Sequence, residues 1–229
     1  MSAVKRYLSS SIGKKQIIAA SGFLLIVYVV LHLIGNLLIF AGPDAFNGYT
    51  EKLHSLGLVL RLIEFGLASV FVIHIGFTAK VVMENRWARS ERYNVSDASE
   101  TRSFAAKMMA YSGSLILLFL FFHLADFTFA DPYSQASEIR DINFGLYGLV
   151  YNSFLNPVRS IFYILVMVAV GLHVSHSAQS LVQTFGLMPA KYKPLIRRCS
   201  IGLGIVVTVL FSSIPIYIMI HRNFWSFFN

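Results

Sequence analysis

Charge is scarce in this sequence. Only 13% of its 229 residues are Asp, Glu, Lys or Arg, about half of what a soluble domain carries. Cysteine is almost missing too. Cys199 stands alone, which excludes an internal disulfide and any cysteine-built metal cluster within the chain. There is no phosphate-binding glycine motif, so nucleotide chemistry is not expected. The first apolar run is too long for a signal-peptide core and has no small-residue cleavage site.

What fills the space is grease. Apolar residues make up 56% of the chain, and the charges bunch between long uncharged runs. That is the composition of a polytopic membrane protein, in which each spanning helix needs roughly 20 apolar residues. The net charge of +8 therefore reads as membrane topology rather than as a nucleic-acid surface.

The uncharged runs predict an all-α membrane protein of one integral domain, with five spans at about 16–41, 58–83, 105–130, 157–185 and 199–221. Helices are expected because isolated strands cannot satisfy their backbone in lipid. The first span ends at Gly42-Pro43, and Pro215 predicts a kink in the fifth. The second is strictly uncharged for only 15 residues, Phe65 to Ala79, so Arg61 and Lys80 must snorkel from its ends. The segment Ile142 to Val158 is short and rich in Gly and Asn. It reads as an interfacial stretch, with Tyr147 and Tyr151 at headgroup level.

Fourteen Lys and Arg residues fall at the N-terminus and in the second-to-third and fourth-to-fifth connections, against five elsewhere. This bias places the N-terminus in the cytoplasm and the C-terminus outside. The expected location is a bacterial cytoplasmic membrane.

Four of the spans carry a histidine near the middle: "VVLHLIGN", "FVIHIGF", "LFFHLAD" and "VGLHVSH". An imidazole inside lipid is costly unless it finds a partner. One alone could be an ordinary interhelical hydrogen bond; four on four helices suggest a shared purpose. His32 and His123 lie 17 and 16 residues past their inner basic anchors, on helices running outward. His74 and His173 lie 13 and 14 residues past their outer anchors, on helices running inward. The four sort into two pairs, His32 with His123 nearer the outside and His74 with His173 nearer the cytoplasm. The helical rise sets the pairs about 6 to 16 Å apart, depending on the anchors chosen.

Facing imidazoles at one depth suit a haem, which needs an apolar slot and accepts neutral histidine as axial ligand. Two such haems would conduct electrons across the membrane. The segments "SGFLLIVYVVLH" and "SGSLILLFLFFH" echo one another, each with Ser-Gly followed by His ten residues after the Gly. Ser21 and Ser112 thus face the bundle interior about 16 Å from their own histidines, near the other haem's level. They either make room for a macrocycle or serve plain small-residue packing. His176 is a candidate alternative ligand or propionate partner, while His54 and His221 read as interfacial.

These residues resemble a family. "SGFLLIVYVVLHLIGNL", "GPDAFNGYTEKLHSLG", "EFGLASVFVIHIGFTA", "ENRWARSERY", "SGSLILLFLFFHL" and "FYILVMVAVGLHVSHSAQSLVQTFGL" are similar to the single-chain, five-helix, dihaem cytochrome b subunit of succinate:quinone oxidoreductases (succinate dehydrogenase or fumarate reductase). The likeness covers most of the chain from Ser21 to Leu187. It implies two b-type haems, with His32 and His123 as axial ligands of the outer one and His74 and His173 of the inner one. It also implies an iron-sulfur subunit docked on the cytoplasmic face and a flavoprotein subunit beyond it that handles succinate and fumarate. The stretch Arg86 to Arg92 is the expected docking surface, unless its charge is only topological. The chain alone would not act on the dicarboxylate.

The same resemblance implies a quinone, usually menaquinone, near the outer haem. Candidate contacts are Glu64 and Arg61, then Asn36 and Asp126. Glu64 would pass protons to the ring oxygens, or else form an i,i+3 ion pair with Arg61. Some relatives carry a glutamate shortly before the fourth ligand; here Val170, Gly171 and Leu172 stand in that neighbourhood, which puts a proton path through that position in doubt. Whether the complex dimerises is left open. The competing readings are a haem b anchor of a hydrogenase or formate dehydrogenase, a non-haem di-metal oxidase or desaturase, and a proton-coupled transporter.

Overall fold

The computed structural model describes residues 2–87 and 108–226. Arg89, Arg92, Arg102 and Lys107, most of the expected docking stretch and the start of the third expected span lie outside the described residues. Among the described residues the helices are α1 (Ala3–Ser9), α2 (Ser11–Asn36), α3 (Pro43–His54), α4 (Leu58–Trp87), α5 (Met109–His123), α6 (Gly145–Leu155), α7 (Pro157–Thr184) and α8 (Lys193–Ser226). A two-residue hairpin, β1 (Glu138–Ile139) with β2 (Ile142–Asn143), is the only sheet among them. Its turn residues Arg140 and Asp141 have φ of 54° and 63°, as a tight two-residue hairpin turn needs.

Five of these segments are long and apolar enough to cross a membrane: Ser11–Ala41, Leu58–Trp87, Met109–Thr128, Pro157–Thr184 and Ala190–His221. The chain is thus an all-α, multi-pass membrane protein by length and composition. The helices outrun several expected bounds because a helix does not stop where charge begins. Helix α2 starts at Ser11, where the Ser10 hydroxyl accepts from Gly13 N at 3.0 Å, a standard N-cap. Helix α7 starts at Pro157 under a cap from the Asn156 side chain. Helix α8 runs unbroken from Lys193 past Pro215.

Side chains set the order of the bundle. Helices α2 and α4 are antiparallel: Lys14 pairs with Glu84 at one end, and Ser21 reaches His74 further along. Helices α5 and α7 are antiparallel likewise, through Ser112 to His173 and His123 to Tyr163. The end where α2 begins is called proximal below, and the opposite end distal. Helices α7 and α8 make the closest crossing. A methyl group added at Gly204 would run into the Gly171 carbonyl, so only glycine allows the two backbones this near.

The buried core gathers at the distal end around Ile39, Phe46, Phe119, Phe154, Tyr163 and Ile218. Helix α4, in contrast, has no buried residue. Large apolar side chains such as Phe65, Leu165 and Ile220 point outward at 75%, 63% and 64% exposure. A surface this apolar has lipid as its natural solvent.

The distal end is capped by α3 and α6. Asn47 of α3 donates to the Phe144 carbonyl at 2.8 Å and accepts from Tyr147 N at 3.0 Å. Helix α6 has 11 residues, far too short to span, in keeping with reading residues 142–158 as no sixth span. It does more than lie at an interface, however: Leu149, Val150 and Phe154 are buried in the protein, and Tyr147 stacks on Tyr151 at 6.2 Å between centroids.

Candidate functional site: four histidines at two levels

Helices α2 and α5 bring His32 and His123 together. Their ring centroids lie 5.8 Å apart at 89°. Phe119 and Phe127 flank His123 at 5.5 Å each, and Phe211 of α8 stands 6.0 Å from His32. Asn36, one turn beyond His32, donates to the His32 carbonyl at 2.8 Å and more weakly meets its Nε2 at 3.3 Å. The amide is satisfied by the carbonyl, so it can release the ring nitrogen.

The other two histidines are held by the Ser-Gly pairs. Ser21 Oγ lies 3.1 Å from His74 Nδ1, and Ser112 Oγ lies 3.1 Å from His173 Nδ1. Each serine has one proton, and each spends it on its own helix: Ser21 Oγ donates to the Ile17 carbonyl at 2.7 Å and Ser112 Oγ to the Met109 carbonyl at 3.1 Å. The histidine Nδ1–H is then the donor to serine. That selects the tautomer in which Nε2 carries the free lone pair, the one a metal binds.

The neighbouring glycines complete each cradle. A Cβ at Gly22 would sit 3.2 Å from His74 Cε1, and one at Gly113 would sit 3.3 Å from His173 Cε1. The echo noticed in the sequence therefore has a specific job that small size alone does not describe. Serine orients the ring on the facing helix, and glycine lets that ring come close.

These contacts also fix the heights. Ser21 lies 11 residues before His32 and Ser112 lies 11 before His123, each within one unbroken helix. Eleven residues rise about 16 Å. His74 and His173 thus share a level about 16 Å to the proximal side of the His32–His123 level, the upper end of the range the anchors allowed. His173 is also within electrostatic reach of His74 and of His176.

Do these residues suit haem? Imidazole nitrogen stands about 2 Å from a bound metal, so two rings across one metal have centroids roughly 6 Å apart, near the His32–His123 spacing. The serine-selected tautomer presents Nε2 at the proximal level. His123 Nδ1 is buried with no hydrogen-bond partner among the described residues, which a buried polar atom seldom tolerates. The donor set is purely imidazole in apolar surroundings, the environment of a bis-histidine haem. The fit is good.

The remaining candidates are placed as follows. Arg61 Nη1 bonds Glu64 Oε2 at 2.8 Å, with the two side chains 74% and 48% exposed, so the i,i+3 ion pair does form. Tyr28, stacked on His32 at 5.5 Å, lies within electrostatic reach of both Glu64 and Tyr49. Asp126 sits on a π-turn, Leu124–Thr128, directly after His123. It accepts from Tyr163 Oη at 2.7 Å and faces Arg159 Nη2 at 3.6 Å. Tyr28, Tyr49 and Tyr163 were not singled out from the sequence, and Arg159 figured there only as the outer basic anchor for His173. His176 belongs less to the paired rings than to the crevice between α7 and α8, which it lines.

One consequence follows at once. Ser21→Ala and Ser112→Ala each remove the acceptor of a histidine Nδ1–H, which would make that imidazole a poorer donor to a ferric iron held there. Were His74 and His173 to hold a haem, both substitutions would raise the potential of that one haem, by about 60 mV for each tenfold change in relative affinity, and would leave a haem at the His32–His123 level unmoved. A redox titration followed by optical absorption reads this directly.

Compared with models of known protein families, with characterised proteins and with solved structures, the chain has no match in any of the three.

Proposed function

We propose that this chain is the dihaem membrane anchor of a succinate:quinone oxidoreductase, carrying electrons between an iron-sulfur subunit at the proximal end and menaquinone at the distal end. The observation that carries the reading is the two-level set of imidazoles, His74 with His173 each served by a serine and His32 facing His123. His74 and His173 would hold one haem and His32 and His123 the other. Bound in this way, a haem supplies one-electron transfer with no open position for oxygen or substrate.

The chain's own residues supply the rest. Ser21 and Ser112 fix the proximal ligands. The apolar walls of α2, α5 and α7 exclude water. The excess of basic residues at the proximal end supports placing that end in the cytoplasm, where a partner subunit would dock. At the distal end, Glu64 and Arg61 with Tyr28 and Tyr49, and the Asp126–Tyr163–Arg159 cluster, would be the polar groups offered to a quinone ring.

The rivals share part of this picture. A hydrogenase or formate dehydrogenase anchor would also hold haem b, so electron donors decide between them. In membranes containing the whole complex, succinate should reduce both haems and a menaquinone analogue should reoxidise them. Reduction by hydrogen or formate in place of succinate would assign the chain to the rival enzymes. A di-metal oxidase is disfavoured because no three His, Cys, Asp or Glu side chains cluster for a metal among the described residues.

Distal quinone chemistry has an electrical corollary. Electrons entering at the proximal end and leaving at the distal end cross most of the bilayer. Tightly coupled proteoliposomes should then develop a membrane potential during succinate–menaquinone turnover, read by a potential-sensitive dye. A steady zero signal under tight coupling would rule out quinone reduction at the distal side.

A further inference from the structure

A groove of about 450 Å³ runs between α7 and α8, and none of the four paired histidines lines it. Its walls change character along its length. Val168, Leu172 and Val209 form the distal part, whereas His176, Gln179 and Arg197 form the proximal part. Relative to the Gly171–Gly204 crossing, Gln179 lies eight residues and Arg197 seven residues towards the proximal end. Gln179 and Arg197 therefore stand about 10 to 12 Å from the crossing, with Ser175 and His176 nearer to it. Outward-facing Ile205 and Val209 are 58% and 57% exposed, so the groove opens on the surface that the five-span reading gives to lipid.

Charge complements this gradient. Arg197 forms no ion pair among the described residues, and Lys191, Lys193 and Arg198 stand beside it in sequence. His176 Nδ1 is buried without a hydrogen-bond partner among the described residues. A basic mouth above an apolar trough between two spanning helices is the form of a site for an acidic lipid headgroup, and guanidinium matches phosphate in two-pronged geometry.

We infer that the α7–α8 groove is a specific binding site for one anionic phospholipid, with its phosphate at Arg197 and an acyl chain against Val168, Leu172 and Val209. A neutral quinone would leave the basic mouth unmatched. The inference needs only that α7 and α8 span a membrane, and it holds whether or not the chain binds haem.

The test is lipid retention by the full chain, purified in its complex and reconstituted in nanodiscs of phosphatidylglycerol or phosphatidylcholine, then returned to detergent and read by native mass spectrometry. The unaltered protein should keep one phosphatidylglycerol and release phosphatidylcholine. Arg197→Gln should lower retention about tenfold, the size of one charge-assisted hydrogen bond. Arg197→Lys should recover part of it. Ile205→Trp, which fills the trough without touching charge, should exclude the lipid as well. Haem content, measured on the same samples, should stay constant. Equal retention of the two lipids, unchanged retention in Arg197→Gln, or loss of menaquinone in place of phospholipid from the variants would overturn the assignment.

Discussion

Replacing His123 by alanine should remove half of the haem from the purified complex, and replacing His32 should remove the same half. The two rings stand 5.8 Å apart between centroids, across one position, so deleting either leaves that position with a single ligand. The His32→Ala/His123→Ala double variant should lose no more haem than either single variant. Residues that act as one unit are not additive. His74→Ala and His173→Ala should together define the other half, since both rings hang from serines at one level. Combining His32→Ala with His74→Ala should empty the chain of haem. Succinate-driven reduction of quinone should fail in every case, because each variant breaks a series path. Pyridine haemochrome titration counts the haem, and absorption spectra show which of the two is gone. Additive losses within a pair would contradict the shared-ligand arrangement.

Enlarging the glycines should be nearly as damaging, for a different reason. An added Cβ at Gly22 would already lie 3.2 Å from His74 Cε1, and one at Gly113 would lie 3.3 Å from His173 Cε1. Alanine at either site asks the ring to yield by a few tenths of an ångström. Leucine drives a branched side chain into the imidazole, at an overpacking cost of about 1–3 kcal/mol. More decisively, it displaces a ring that, as an axial ligand, would have to hold its place within about 0.5 Å. Gly22→Leu and Gly113→Leu should therefore both lose the proximal haem and keep the distal one, although the glycines are on the same helices as the distal ligands. That crossover is specific to the cradle geometry. If Gly22→Leu instead lost the haem of His32, its own helix neighbour, the Ser-Gly pairs would not serve the facing helices.

Much of this site is legible from residue chemistry alone. Four imidazoles in lipid-length apolar runs are conspicuous because burying them is costly, and counting from basic anchors is enough to pair them. The separation of the pairs is not readable that way, since Arg61, Lys80 and their like can snorkel by several ångströms; it emerges once Ser21 is seen touching His74. The role of the serines escapes the sequence for a related reason. A hydroxyl's partner lies on another helix, 53 and 61 residues away, and local spacing says only that a small residue faces inward. The Asp126–Tyr163–Arg159 cluster depends on a π-turn after His123, which no periodicity announces. Helix α6 shows the same limit: its composition rules out a span but does not reveal that Leu149, Val150 and Phe154 are buried against the distal cap.

The most direct test is the electron paramagnetic resonance spectrum of the oxidised complex, with haem counted against protein in the same sample. Two paired-imidazole centres predict two low-spin ferric signals and a ratio of two haems per chain. A sample of intact, correctly assembled chain with no haem, or with a high-spin signal from an iron lacking its second histidine, would contradict the account.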